Sequence, residues 1–330
     1  MRYVKFFAKC ILAALPFILV IGFTAFCPNM YMDEEYPAWR FSKAVSSGKE
    51  YVGKDFDTII LGDSGAMSSM MPDMMSDSTV NLAVGGGTSI EAYYFLKEYV
   101  DNHKAPKNVI VMFAPFHYYT ADNYETRTMY FKTLSIKDAK EVYELARKTG
   151  DEKIFNKDTY LNEFSYRMAL PTKYLPAIKA ARIFGRYKGN IDAYNRLVDN
   201  MGYGPFGTAD GCDAVSYESA RSWVTWDGEA SLLAIYLYNI YNLCVERDIN
   251  LLILQPALNE ASYNALNADY VKDYYDMLNI SKATYVEATV ETTLRCYPNE
   301  YFGDVSHLNG RGAEKFTREI LETYPEYFSN

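Results

Sequence analysis

The chain has 330 residues, 49% of them hydrophobic and 16% aromatic, with a net charge of −9. That composition is ample for one large core or two modest ones. It argues against nucleic acid as a partner, because no Lys/Arg cluster stands out beyond the N-terminus and the acidic surface would repel phosphates.

The N-terminus places Arg2, Lys5 and Lys9 ahead of an uncharged run over residues 10–27, followed by Asp33, Glu34 and Glu35. The run is at the lower limit for a helix crossing the bilayer. With positive charge retained inside, it predicts a cytoplasmic segment 1–9, a transmembrane anchor 10–27 and an extracytoplasmic remainder. A cleaved signal peptide is the rival reading. Phe26 stands where a small residue would precede the cut, which favours the uncleaved anchor at the cell membrane.

Residues 28–56 read as a polar, partly helical connector. From residue 57 a repeating pattern begins. "FDTIILG" is a buried strand ended at Gly62, "STVNLAV" a second ended by Gly85–Gly87, and Ser89 to Asn102 a helix with Ile90, Tyr93, Tyr94 and Val100 on one face. "KNVIVMFAP" is a third strand. Residues 122–228, tyrosine-rich and largely helical in propensity, interrupt the pattern as an insertion ending in "NMGYGPFGTADGCDA". A helix over 229–247, a strand "INLLILQP", a helix over 262–279, a strand "KATYVEAT" and a last helix from Asn309 complete it. Strands that are apolar throughout are buried on both faces, so the expected class is α/β with a parallel sheet between helices. Sites in such folds gather at the carboxyl ends of strands.

Of the five cysteines, Cys10 and Cys27 fall in or beside the apolar run. Cys244 lies on an apolar helical stripe and reads as a buried thiol. Cys212 and Cys296 could pair, though nothing requires it. No His or Cys spacing suggests a metal, and no phosphate loop or other cofactor motif occurs.

There are three histidines. His103, at a helix end between Asn102 and Lys104, reads as solvated. His307 lies three residues after Asp304, a spacing that lets the carboxylate reach Nδ1 and turn Nε2 outward. Taken alone, D-x-x-H is weak; Asp304 or Asn309 could equally cap the last helix.

Taken together, "GDSGA" (62–66), "NLAVGG" (81–86) and "DVSH" (304–307), in that order along an α/β pattern, resemble the SGNH, or GDSL, hydrolase family. The resemblance covers about 57–121 and 229–325. It implies a flavodoxin-like three-layer α/β/α fold, with Ser64 as nucleophile, His307 as general base and Asp304 as its orienter. It also implies oxyanion donors at the Ser64 and Gly85 amides, with Gly86 beside them. Asp63 reads as holding the turn through backbone N–H groups. The chain departs from the family at its third block, where "APFHYYT" lacks the usual asparagine. His117 or a backbone amide are the possible replacements. That departure and the anchor point to the membrane-anchored acyltransferase branch, which includes the teichoic-acid D-alanyl transfer protein and the alginate-type O-acetyltransferases. The branch implies a multi-spanning membrane-bound O-acyltransferase as partner and a polysaccharide or teichoic-acid-like acceptor, with no cofactor or metal. An esterase on the same scaffold and a non-catalytic polymer-binding adaptor are the alternatives. Tyr187, Tyr194, Tyr203, Phe206, Trp223 and Trp226 in the insertion are candidates for an acceptor platform, set against an ordinary place in the core.

Overall fold

The computed structural model describes residues 2–26, 29–31, 33–118, 120–155, 185–216 and 231–328, and within 20–29 the backbone alone. Its centre is a five-stranded parallel sheet in the order β2-β1-β3-β4-β6, formed by β1 (Thr58–Gly62), β2 (Thr79–Asn81), β3 (Asn108–Met112), β4 (Asn250–Leu254) and β6 (Ala288–Val290). A short parallel pair, β5 (Leu258–Asn259) and β7 (Cys296–Tyr297), lies apart from it. Register runs Thr58 beside Asn108 and Asn108 beside Asn250, so three strands start level at one edge. The interior residues of β1, β3 and β4 are buried throughout, as their unbroken apolar runs require. Each fully buried Ile or Leu among them contributes roughly 1.5–3 kcal/mol.

Helices supply the covering. They are α1 (Arg2–Phe26), α2 (Tyr36–Ser46), α3 (Ser64–Ser69), α4 (Pro72–Met75), α5 (Ser89–Asn102), α6 (Ile136–Thr149), α7 (Gly185–Asp199), α8 (Leu232–Glu246), α9 (Glu260–Asn264), α10 (Ala268–Thr284) and α11 (Gly310–Thr323). In one group α5 packs against α8 and α2; in another α11 packs on α3 and α4. The α5 start is fixed by a capping box. The Thr88 hydroxyl accepts from Ile90 N–H, while the buried Glu91 carboxylate reaches back to Thr88 N–H at 2.8 Å.

Several expectations change. The helix expected over 262–279 is two helices. Asn267 caps the second by accepting from Asp269 N–H, and α10 then runs to Thr284, which shortens the strand expected over 282–289 to Ala288–Val290. His103 is enclosed rather than solvated. Its ring stacks on Tyr99 at 4.3 Å and its Nε2 lies 2.9 Å from the Val45 carbonyl. Segment 28–56 does more than connect, because Trp39, Phe41 and Val45 of α2 are buried in the main core. Cys212 and Cys296 are both free thiols, and Cys244 is buried, its thiol pushed up to about 12 by desolvation. The helix at the N-terminus is present. Among the described residues, however, no helix is long and apolar enough to cross a membrane; residues 2–19 carry Arg2, Lys5 and Lys9.

Candidate active site

Strand β1 ends where the chain must pass very close to its neighbour. A Cβ on Gly62 would lie 2.0 Å from the Met112 carbonyl oxygen and 2.6 Å from Ala66 Cβ, and its φ of +156° is one few side chains adopt. Only glycine allows this close turn. Asp63 then caps α3, its Oδ1 accepting from Gly65 N–H at 2.7 Å. Ser64 is therefore held on the first turn of α3, at the carboxyl end of β1.

Asp63 itself is 1% exposed and fully engaged. Its Oδ2 accepts from Ala114 N–H at 2.6 Å and from His117 Nδ1 at 2.6 Å. Burial works against its ionisation, yet His117 and the two amides hold it below its ordinary value. The carboxylate thus ties the Ser64 turn to the end of β3. It accepts from the Gly65 and Ala114 N–H groups, and His117 is its side-chain partner, with Nδ1 directed at it.

The other half of the site comes from far along the chain. His307 Nε2 lies 2.8 Å from Ser64 Oγ, across a separation of 243 residues. On the far side of the ring, Nδ1 lies 2.8 Å from Asp304 Oδ2 and 2.9 Å from Oδ1. A carboxylate only accepts, so Nδ1 carries the proton and Nε2 is left to accept from the Ser64 hydroxyl. Asp304 Oδ1 also accepts from His307 N–H at 2.8 Å and Ser306 N–H at 2.9 Å. Although partial burial opposes ionisation, these bonds keep Asp304 below its ordinary value. Capping of the last helix falls to Asn309, which accepts from Gly312 N–H at 3.1 Å, so Asp304 is not a capping residue.

Two links hold the halves in register. The Thr317 hydroxyl on α11 donates to the Ser69 carbonyl and accepts from Met71 N–H, each at 3.1 Å, pinning the helix after His307 to the one that starts at Ser64. The end of the insertion also lies across the His307 turn. Cys212 N–H donates to Asn299 O at 2.9 Å, and a Cβ on Gly207 would come within 2.3 Å of the Gly303 backbone.

The second glycine turn borders the same place. The block that leads to it is anchored by Asn81, whose Nδ2 donates to the Ala66 and Met70 carbonyls. Among the described residues, no partner accepts from the N–H of Ser64 or of Gly85. Arg127 Nη1 donates to the Gly85 carbonyl at 3.0 Å, and its Nη2 pairs with Glu35 Oε1 at 2.5 Å. Gly86, at φ +66°, fits beneath Arg127 and Asn123, where a Cβ would lie 2.0 Å from the guanidinium. Burial raises the Glu35 carboxyl above its ordinary value, with Arg127 opposing.

Arg127 and Glu35 carried no local signal, since a pair 92 positions apart has no sequence periodicity to reveal it. Of the candidate platform residues, Phe206 stacks on His307 with ring centres 4.9 Å apart. Tyr203 lines the cavity beside it. Tyr187 stacks on Tyr31, and Tyr194 donates to Glu50 at 2.7 Å. Trp223 and Trp226 lie outside the described residues. No group of three or more His, Cys, Asp or Glu side chains able to hold a metal occurs among the described residues.

No model of a known protein family matches the chain, and no curated protein matches it in sequence.

Proposed function

We propose that the protein is a serine-dependent acyl-transferring enzyme of SGNH type that moves an acyl group to a hydroxyl of an extracytoplasmic polysaccharide. The observation that carries this reading is the continuous line Ser64 Oγ, His307 Nε2, His307 Nδ1, Asp304, with links of 2.8 Å at both ends of the ring. A serine, an imidazole and a carboxylate in hydrogen-bond series are the arrangement that activates a hydroxyl for attack. The strand order β2-β1-β3-β4-β6 supports a flavodoxin-like, SGNH-type scaffold, with Ser64 and the Gly85 turn beyond strand ends.

In this reading Ser64 Oγ attacks the carbonyl of an acyl donor while its proton passes to His307 Nε2. Asp304 stabilises the resulting imidazolium. The Ser64 and Gly85 amides stabilise the oxyanion. Collapse expels the donor's alcohol, which takes the proton from Nε2, leaving an acyl-serine. An acceptor hydroxyl then loses its proton to Nε2 and attacks the acyl carbonyl, and Ser64 is released as the hydroxyl again. Water in place of the acceptor gives hydrolysis, so the esterase alternative differs only in what occupies the acceptor position. Asp63 and His117 serve as the brace beneath the serine turn. The N-terminal helix serves as a membrane anchor beside a multi-spanning acyltransferase partner, a part of the reading motivated by Arg2, Lys5 and Lys9 ahead of the uncharged run.

The decisive experiment is labelling by a serine-directed fluorophosphonate. Wild-type protein should be labelled at Ser64 and Ser64→Ala should not; equal labelling of both would end the enzymatic reading. Release of free acid at the same rate with and without an oligosaccharide acceptor would favour the esterase.

A further inference from the structure

A cavity of about 710 Å³ lies beside the site. Gly85 and Phe206 form its border with the Ser64–His307 pair, and α7 lines it through Ala193 and Arg196, with Asn200 just beyond the helix end. Its size suits several linked rings rather than one small acyl group.

Glu35 is the informative residue. Its Oε1 is taken by Arg127. Its Oε2 is buried and has no hydrogen-bond partner. That oxygen faces the Gly85 turn, so closely that a Cβ there would come within 2.6 Å of it, with Phe206 another 2.9 Å neighbour of the same point. A buried acceptor oxygen without a donor is costly, and the cost is removed when a bound group donates to it. It lies beside Phe206, the residue that stacks on the His307 imidazole, and Glu35 is one of the residues lining the cavity.

The charge around it selects the donor. Glu35 is already paired with Arg127, and Glu34 on the same rim is paired with Arg186. Each of these carboxylates is matched by a guanidinium, so the two pairs offer a charged ligand no net attraction. A neutral hydroxyl can donate to Oε2 without disturbing either pair. Phe206, an exposed ring, offers a flat apolar face to the C–H side of a sugar ring, and Arg196 and Asn200, which also line the cavity, offer donors.

We infer that this cavity is the acceptor subsite, that its ligand is an uncharged polyhydroxylated chain, and that Glu35 Oε2 receives a hydroxyl of that chain beside the Ser64–His307 pair. The assignment of the ligand as acceptor rests on the acyl-transfer reading above. The binding claim stands on the cavity and on Glu35.

The test uses the full chain carrying Ser64→Ala, so that binding is read without chemistry. Isothermal titration with maltohexaose, cellohexaose and xylohexaose, alongside an oligogalacturonate and a chitosan hexamer, measures the preference. At least one neutral hexamer should bind, and more tightly than either charged probe. Adding Glu35→Gln, which keeps the shape but directs an amide at the hydroxyl, should weaken that binding at least tenfold. Ala193→Phe, which fills the cavity from α7, should weaken it as much. Failure of every neutral probe to bind, preference for a charged probe, or unchanged binding in both variants overturns the inference. Glycan binding that depends on Glu35, in a protein whose Ser64 resists the phosphonate, would keep the inference and sink the acyl-transfer reading. Labelling at Ser64 with binding indifferent to both variants would do the reverse.

Discussion

Phe206 lies nearly parallel to the imidazole of His307, with ring centres 4.9 Å apart and planes 21° from parallel. The ring therefore covers one face of the histidine that touches Ser64, and it comes from the insertion rather than from the sheet. Such a stacked pair contributes about 0.5–1.5 kcal/mol beyond burial. Phe206→Ala should lower the rate of Ser64 labelling by up to about tenfold through a looser imidazole, and Phe206→Tyr should restore most of it. An unchanged labelling rate in Phe206→Ala would show that Phe206 does not seat the imidazole.

Asp304 fixes which imidazole nitrogen carries the proton. Asp304→Asn can present its amide N–H to Nδ1, which favours the tautomer with the proton on Nε2 and removes the acceptor from Ser64. On the acyl-transfer reading, a loss of about 10³–10⁴-fold in turnover is expected, with melting temperature little changed because the carboxylate sits at the surface side of the ring. A loss below tenfold, measured on an activated ester, would contradict this orienting role.

The Asp63–His117 pair makes a prediction about acid stability. Asp63 is held below its ordinary value of 3.8, so it stabilises the folded state above that pH. The contribution declines as pH falls below 3.8 and toward the lower folded-state value. Asp304, shifted in the same direction, adds to the same limb. Asp63→Ala leaves His117 and two amides without their acceptor and should cost about 3–5 kcal/mol at neutral pH. The variant's denaturation midpoint should also depend less on pH in this acid range than the wild type's. Parallel acid limbs for the two proteins would count against the pair.

Gly62→Ala puts a methyl group into the Met112 carbonyl at a φ of +156°. Separating β1 from β3 there should cost at least about 2 kcal/mol, read by urea denaturation of the full chain. Ser64 labelling should fall with it, since the serine turn begins at this residue. Gly53→Ala, which meets nothing within 4 Å, is the control at another positive φ, and should be affected far less.

The strands and the Ser64–Asp304–His307 line were legible in the sequence for separate reasons. β1, β3 and β4 are buried on both faces, which forces unbroken apolar runs that a reader can see. The three site residues sit in short motifs fixed by turn chemistry: a glycine where β1 touches β3, and a carboxylate three residues before its imidazole. What escaped notice is tertiary. The solvation reading of His103 failed because Tyr99 and Val45 close around it, and neither is marked by the polar residues on either side of the histidine. The break between α9 and α10 had a signal, an Asn–Ala–Asp cap at Asn267, outweighed by the surrounding helical periodicity. Burial of α2 was masked by the charged residues around Trp39 and Phe41. Glu35 and Arg127 each look like ordinary surface charges until the fold brings both to Gly85.

The contact between Gly207 and Gly303 ties the imidazole's own turn to a segment outside the α/β repeat. A shortened variant lacking that segment would then lose more than a wall of the glycan-sized cavity. It would also leave the turn that carries His307 without its support, so on the acyl-transfer reading selectivity and turnover are expected to change together whenever the insertion is altered.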